Sequence, residues 1–183
     1  MRKNLRNLFW VWEFEKEEKW LAHMAAQGLA LVAVGYCRYE FEPCTPGEYA
    51  VRLELLEHAP THPESQQYIS FMEETGVEYI GHMMRWAYFR KKTADGPFDL
   101  FSDIASRIRH LKRIVSLLIP LMLANTCAGL YNVTIYQTVA RDFTNINFYA
   151  ALVSLICSLL MCYGIFRIVH ARAKLEKEQQ IFE

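Results

Sequence analysis

Two long apolar runs dominate the hydropathy pattern of the chain. They lie between Ile114 and Ile168 and are separated by a short polar turn, Ala140 to Asn147. A first span is expected from about Ile114 to Val139 and a second from about Phe148 to Val169. Each is long enough to cross about 30 Å of hydrocarbon. A soluble helical hairpin is disfavoured, because Ile114 to Leu123 and Ala150 to Ile156 carry no charge and no amphipathic period. The pattern therefore predicts a two-helix transmembrane hairpin.

The residues before it show shorter, mixed periodicities. Leu5 to Phe14 is dense in aromatic and β-branched side chains and predicts a strand covered on both faces. A helix is expected from about Glu15 to Gln27, with Trp20, Leu21, Met24 and Ala25 on one face and Gly28 as its stop. Leu29 to Glu42 and Glu48 to Leu55 alternate as strands and predict a hairpin closed by Pro43 to Gly47. If paired residue numbers sum to 92, Glu40 faces Arg52 and Arg38 faces Glu54, which brings opposite charges together. A second helix is expected from about Ser65 to Thr75, followed by a last strand over Val77 to Lys91. The order β-α-β-β-α-β predicts an α+β, ferredoxin-like domain over residues 1–92, ahead of the transmembrane helical hairpin over 114–169. Between them, residues 93–113 read as a linker and amphipathic juxtamembrane helix, with Ser102 a candidate N-cap, or as an extension of the first span. Residues 170–183 read as a cytosolic tail.

Charge refines this division. Residues 1–100 carry 11 Lys/Arg against 15 Asp/Glu, and residues 101–183 carry 9 against 5. Arg107, Arg109, Lys112 and Arg113 precede the first span, and Arg167, Arg172, Lys174 and Lys177 follow the second. The positive-inside rule then places both termini in the cytosol of a multi-pass protein of the cell membrane. The balance is not basic enough to suggest nucleic acid. Five cysteines, three of them inside the apolar runs, fit a reducing compartment and no disulfide framework. The acidic turn soon after Met1 argues against a signal peptide.

Candidate chemistry is sparse. Arg38, Glu40, Arg52, Glu54 and Arg85 are candidates for an open sheet face that binds a ligand or partner, against the plainer reading of a solvated cross-strand ladder. Trp10, Trp12, Trp20 and Trp86 are candidates for an aromatic pocket suited to an apolar amphiphile, against plain core packing. Asn125, Thr126, Asn132 and Gln137 are expected to make polar helix-helix contacts in the membrane. His58 and His62, flanked by Glu57 and Glu64, are the one local group of metal-ligand types, but two prolines interrupt them and no third His or Cys accompanies them. No metal, cofactor or catalytic constellation is therefore expected, and no phosphate loop, nucleophile elbow or HExxH motif occurs.

The segments Phe9-Trp10-Val11-Trp12-Glu13-Phe14-Glu15-Lys16-Glu17-Glu18-Lys19-Trp20-Leu21, Met24-Ala25-Ala26-Gln27-Gly28, Arg52-Leu53-Glu54-Leu55-Leu56, Tyr68-Ile69-Ser70-Phe71-Met72-Glu73-Glu74-Thr75-Gly76 and Asp95-Gly96-Pro97-Phe98 resemble a bacterial membrane-protein family known as domain of unknown function 2812. The resemblance carries no catalytic residues. It implies association with PadR-like transcription regulators, hence a place in a small regulatory or envelope-stress system. The expected function is a non-enzymatic, membrane-anchored sensor or adaptor, in contact with membrane lipid. Its cytosolic domain would bind a protein partner or a small amphiphile, and a homo-oligomer, first a dimer, is expected. The alternative is a small oligomeric transport or channel subunit.

Overall fold

The computed structural model describes residues 2–139 and 145–182. Two units follow one another, residues 1–103 and 104–183.

The first unit is built twice from the same pattern. β1 (Lys3–Arg6), α1 (Phe14–Ala26), β2 (Leu29–Gly35) and β3 (Arg38–Pro43) form one βαββ element; β4 (Tyr49–Leu55), α2 (Pro63–Glu74), β5 (Glu78–Met83) and β6 (Trp86–Lys92) form the next. Each makes an antiparallel three-stranded sheet, ordered β1-β3-β2 and β4-β6-β5. One sequence interval separates Gly28 from Gly76, Trp20 from Tyr68 and Phe41 from Phe89. The structure uses those pairs alike. Trp20 meets Phe41 edge-on at 5.8 Å, and Tyr68 meets Phe89 edge-on at 6.2 Å. A register shift falls between Leu31 and Ala33 in one hairpin and between Tyr79 and Gly81 in the other.

The α+β class followed by a helical pair stands, but the strand arrangement differs from the ferredoxin-like expectation. Leu29 to Glu42 is not one strand. It turns at Tyr36-Cys37, where Cys37 takes the left-handed conformation (φ 53°). Val77 to Lys91 likewise turns at Met84-Arg85, with Met84 at φ 55°. Neither turn carries the Asn-Gly or Asp-Gly signal that usually marks a tight hairpin, so apolar alternation hides both. In consequence β3 and β4 do not pair. Arg38 lies opposite Arg6 and Gly35, and Arg52 lies opposite Phe89, so the expected Glu40–Arg52 register does not exist. The expected strand over Leu5 to Phe14 is also replaced. The Glu13 N–H donates to the Trp10 carbonyl (2.7 Å), and the Glu13 carboxylate accepts from the Trp10 N–H (3.4 Å). This reciprocal bonding turns the chain into α1.

α1 buries Phe14, Glu17, Leu21 and Ala25, the i, i+3, i+7, i+11 spacing of one helical face. It ends at Gly28 (φ 78°), where a Cβ would lie 2.9 Å from the Cys44 carbonyl oxygen, so only glycine fits. α1 lies between the sheets: Trp20 and Glu17 reach β3, whereas Phe14, Glu17 and Glu18 reach β6 and β4. α2 covers the other face of the second sheet, where Ile69 and Met72 pack with Ala87, Phe89, Leu56, Val77 and Phe98. The sheets meet where β2 approaches β5. There Arg90 of β6 donates to the Leu31 carbonyl (2.7 Å), pairs with Glu78 and stands over the Tyr49 ring.

The second unit is a pair of long helices, α3 (Ile104–Val139) and α4 (Ile146–Phe182), packed along each other. α3 takes in the end of the expected juxtamembrane segment, from Ile104, and continues through Pro120; α4 likewise carries the tail. The helices approach closely at Gly129, where an added Cβ would stand 3.1 Å from the Leu155 side chain. Both are long and apolar enough to cross a membrane, and only 17% of each apolar window is buried. Leu123, Leu130, Tyr131, Leu152, Val153, Leu159 and Phe166 remain exposed, an apolar surface that suits lipid and not water. Part of the connecting turn, residues 140–144 with Arg141, lies outside the described residues.

Candidate functional site: a buried carboxylate between two sheets

Glu17 sits three residues after Phe14 and four before Leu21, so helix geometry points its carboxylate at the core. It is 6% exposed and has no cationic partner among its described contacts. Its Oε1 accepts hydrogen bonds from Tyr39 and from Tyr88, both at 2.7 Å. One tyrosine comes from each βαββ element, and the carboxylate therefore joins the two halves. Burial raises its pKa above the ordinary glutamate value, and the two phenolic hydrogen bonds pull it back only in part. Burial, followed by the nearby Glu17 charge, holds both phenols protonated far above the usual tyrosine range.

Glu18, next on α1, accepts the N–H of Leu53 at 2.8 Å. β4 is an edge strand, and this bond satisfies a donor that no neighbouring strand can reach. Burial pushes the Glu18 carboxyl up to about 7, against the opposing pull of the Leu53 hydrogen bond and Arg52. A folded-state pKa above the unfolded value means that the folded protein holds the extra proton between about 4.5 and 7. The first unit is thus expected to lose stability as pH rises from about 5 to about 8, and Glu18→Gln should flatten that slope. Urea unfolding of the full chain in detergent checks this by tryptophan fluorescence, because all four tryptophans lie in the first unit. A flat profile in the wild type would refute it.

The four candidate tryptophans all gather about α1. Trp20 meets Tyr39 at 4.9 Å, with Phe9 on its other side at 5.7 Å; Phe14 stacks on Trp86 at 5.7 Å; Trp10 stacks on Trp12 at 5.2 Å. Trp12 and Trp86 are buried, whereas Trp10 and its neighbour Leu8 are largely exposed. The irregular segment leading into α1 thus leaves Leu8 and Trp10 at the surface.

The charged candidates do not gather on one sheet face. Arg38 and Glu40 pair at 2.7 Å on β3, alternating with the inward Tyr39 and Phe41, and Arg38 also reaches Asn4. Arg52 donates to the Val51 carbonyl, and Glu54 is buried, accepting from the Tyr68 hydroxyl at 2.6 Å. Arg85 is not on a sheet face: it occupies the β5–β6 turn and holds the carbonyls of Leu56 and Glu57. In α3, the described bonds of Asn125, Thr126 and Asn132 run to the carbonyl four residues back and not to α4; Gln137 is exposed. These three donors are thus met within their own helix.

Sequence reasoning misses Glu17, Tyr39 and Tyr88 as a site. The α1 spacing holds the signal for Glu17, an acidic residue on an apolar stripe, but its place in the first turns of a helix also suits the helix dipole and masks it. Nothing local in the sequence joins Tyr39 to Tyr88. Searches of curated proteins and of solved structures return no match. A family model does match, over residues 13–123, which span α1, both sheets but for β1, and the first part of α3. On that match, the chain belongs to the family described as Protein of unknown function (DUF2812).

Proposed function

We propose that this chain is a non-enzymatic, membrane-anchored sensor or adaptor whose first unit binds a small amphiphile with a cationic head. The observation that carries the reading is the Glu17 carboxylate, buried without a described cation and held between the hydroxyls of Tyr39 and Tyr88. A buried charge is costly unless it is paired. A cationic ligand would supply the missing charge, and aromatic faces attract the same cation. Leu8 and Trp10, exposed in the segment that leads into α1, offer the apolar body of such a ligand a first contact.

The helical pair is the anchor in this reading. It crosses the membrane twice, and the basic residues flanking both spans put both termini in the cytosol. The outer face of the first sheet, with Arg38 and Glu40, is the surface left for a protein partner, a PadR-like regulator or a second copy. The transport alternative draws less support, since Asn125, Thr126 and Asn132 already bond to their own helix.

The test is titration of the full chain, reconstituted in nanodiscs, with tetraphenylphosphonium and, separately, with tetraphenylborate. The two ions match in shape and differ in charge, so membrane partitioning alone cannot mimic selectivity for the cation. Saturable tryptophan quenching by the cation alone is expected. Equal responses to both ions, or no saturable response, would remove the reading.

A further inference from the structure

Away from Glu17 in the first unit, the loop between β4 and α2 folds in a way that its sequence argues against. Pro60 and Pro63 interrupt His58, His62 and Glu64, a spacing that reads as unsuited to a metal. In the folded loop the same prolines help close a turn. The His62 N–H donates to the Ala59 carbonyl at 2.8 Å, Pro63 occupies the first turn of α2, and the Ser65 hydroxyl donates to the His58 carbonyl at 3.3 Å. Arg85 grips the chain just before the loop through the Leu56 and Glu57 carbonyls. The loop is thus tied at both ends.

This tying brings three ligand groups together. The imidazoles of His58 and His62 stack with centroids 4.2 Å apart, and His58 Nε2 lies 3.1 Å from a Glu64 carboxylate oxygen. One ligand atom from each of the three residues lies within 4.8 Å of the others. Ligands held by tetrahedral Zn²⁺ at about 2.0–2.2 Å are themselves about 3.3 Å apart, so modest side-chain rotations would close the site. All three side chains reach solvent, which leaves room for entry and for a completing water. Glu64 also offsets the positive end of α2, which would otherwise repel a cation.

We propose that His58, His62 and Glu64 form a binding site for a divalent transition-metal ion, with Zn²⁺ the first expected occupant. Two imidazoles and one carboxylate favour Zn²⁺ and its neighbours in the transition series over Mg²⁺ and Ca²⁺, which prefer all-oxygen cages. The site is separate from Glu17 and does not depend on the amphiphile reading.

The test uses the untagged full chain in detergent under reducing conditions, with Zn²⁺ titrated in competition with a chromophoric chelator. A single saturable site in the micromolar range is expected, unaffected by millimolar Mg²⁺. His58→Gln and His62→Asn should each weaken binding roughly tenfold or more. His62 Nδ1 caps α2 by accepting the Glu64 N–H at 3.4 Å, a bond that an amide oxygen can also accept, so His62→Asn removes a ligand without removing the helix start. His23→Gln, on α1, should leave binding unchanged. Absence of saturable binding would overturn the site. So would binding that survives both loop variants, which would point instead to the five free thiols.

Discussion

Phe41→Ala and Phe89→Ala are each expected to destabilise the first unit by about 3–5 kcal/mol, the range for removing a fully buried aromatic ring. Both residues are 0% exposed. They hold equivalent places in the two βαββ elements, each facing an aromatic residue of the helix in its own element. The losses should therefore be similar, and each is a large share of the roughly 5–15 kcal/mol available to an ordinary domain. Phe71→Ala, on the exposed side of α2, should change stability by less than about 0.5 kcal/mol. Urea unfolding followed by tryptophan fluorescence measures all three. A loss below about 1 kcal/mol for either buried ring would mean that its element is not packed as described.

Glu17→Ala is the second large effect. It strips the shared acceptor from two buried phenolic hydroxyls and leaves a gap between α1 and both sheets. Each unsatisfied buried donor costs about 1–3 kcal/mol. Without Glu17 the two neighbouring hydroxyls are free to bond to each other, so part of that cost is recovered. A net loss of roughly 2–4 kcal/mol is expected in the same urea unfolding measurement. Glu17→Gln keeps the shape and one acceptor oxygen and removes a buried charge, so it should cost much less or nothing. That contrast separates the network's structural role from its charge.

The parts of this molecule legible in the sequence are those set by local period. The spans from Ile114 to Val139 and from Phe148 to Val169 stand out because no charge interrupts their cores, and both helices form there. α1 and α2 match their expected limits to within about two residues, because an apolar stripe ends at a glycine in each case. Strand pairing is not legible. The turns at Tyr36-Cys37 and Met84-Arg85 place non-glycine residues in the left-handed region, a choice that tertiary packing enforces and composition does not announce. Without those two turns, two hairpins merge into single strands, which hides the internal repeat and misassigns the partner of β4.

The candidate site shows the same division. Clustering of Trp10, Trp12, Trp20 and Trp86 about α1 follows from aromatic density near one amphipathic helix. The meeting of Tyr39 with Tyr88 depends on two sheets closing over that helix, an event no window of sequence contains. The pair Arg38 and Glu40 falls in a different sheet from Arg52 and Glu54 for the corresponding reason: alternation assigns a residue to a face, but not that face to a sheet.

Recognition of a ligand by the Glu17 charge is the step on which the proposed function rests. Its most direct measurement is the affinity of the nanodisc-reconstituted chain for tetraphenylphosphonium in the wild type and in Glu17→Gln, a variant expected to remain folded. Saturable binding is expected to fall roughly tenfold or more in the variant, the loss that follows when a buried charged contact is removed. Equal affinity in the two proteins would contradict it.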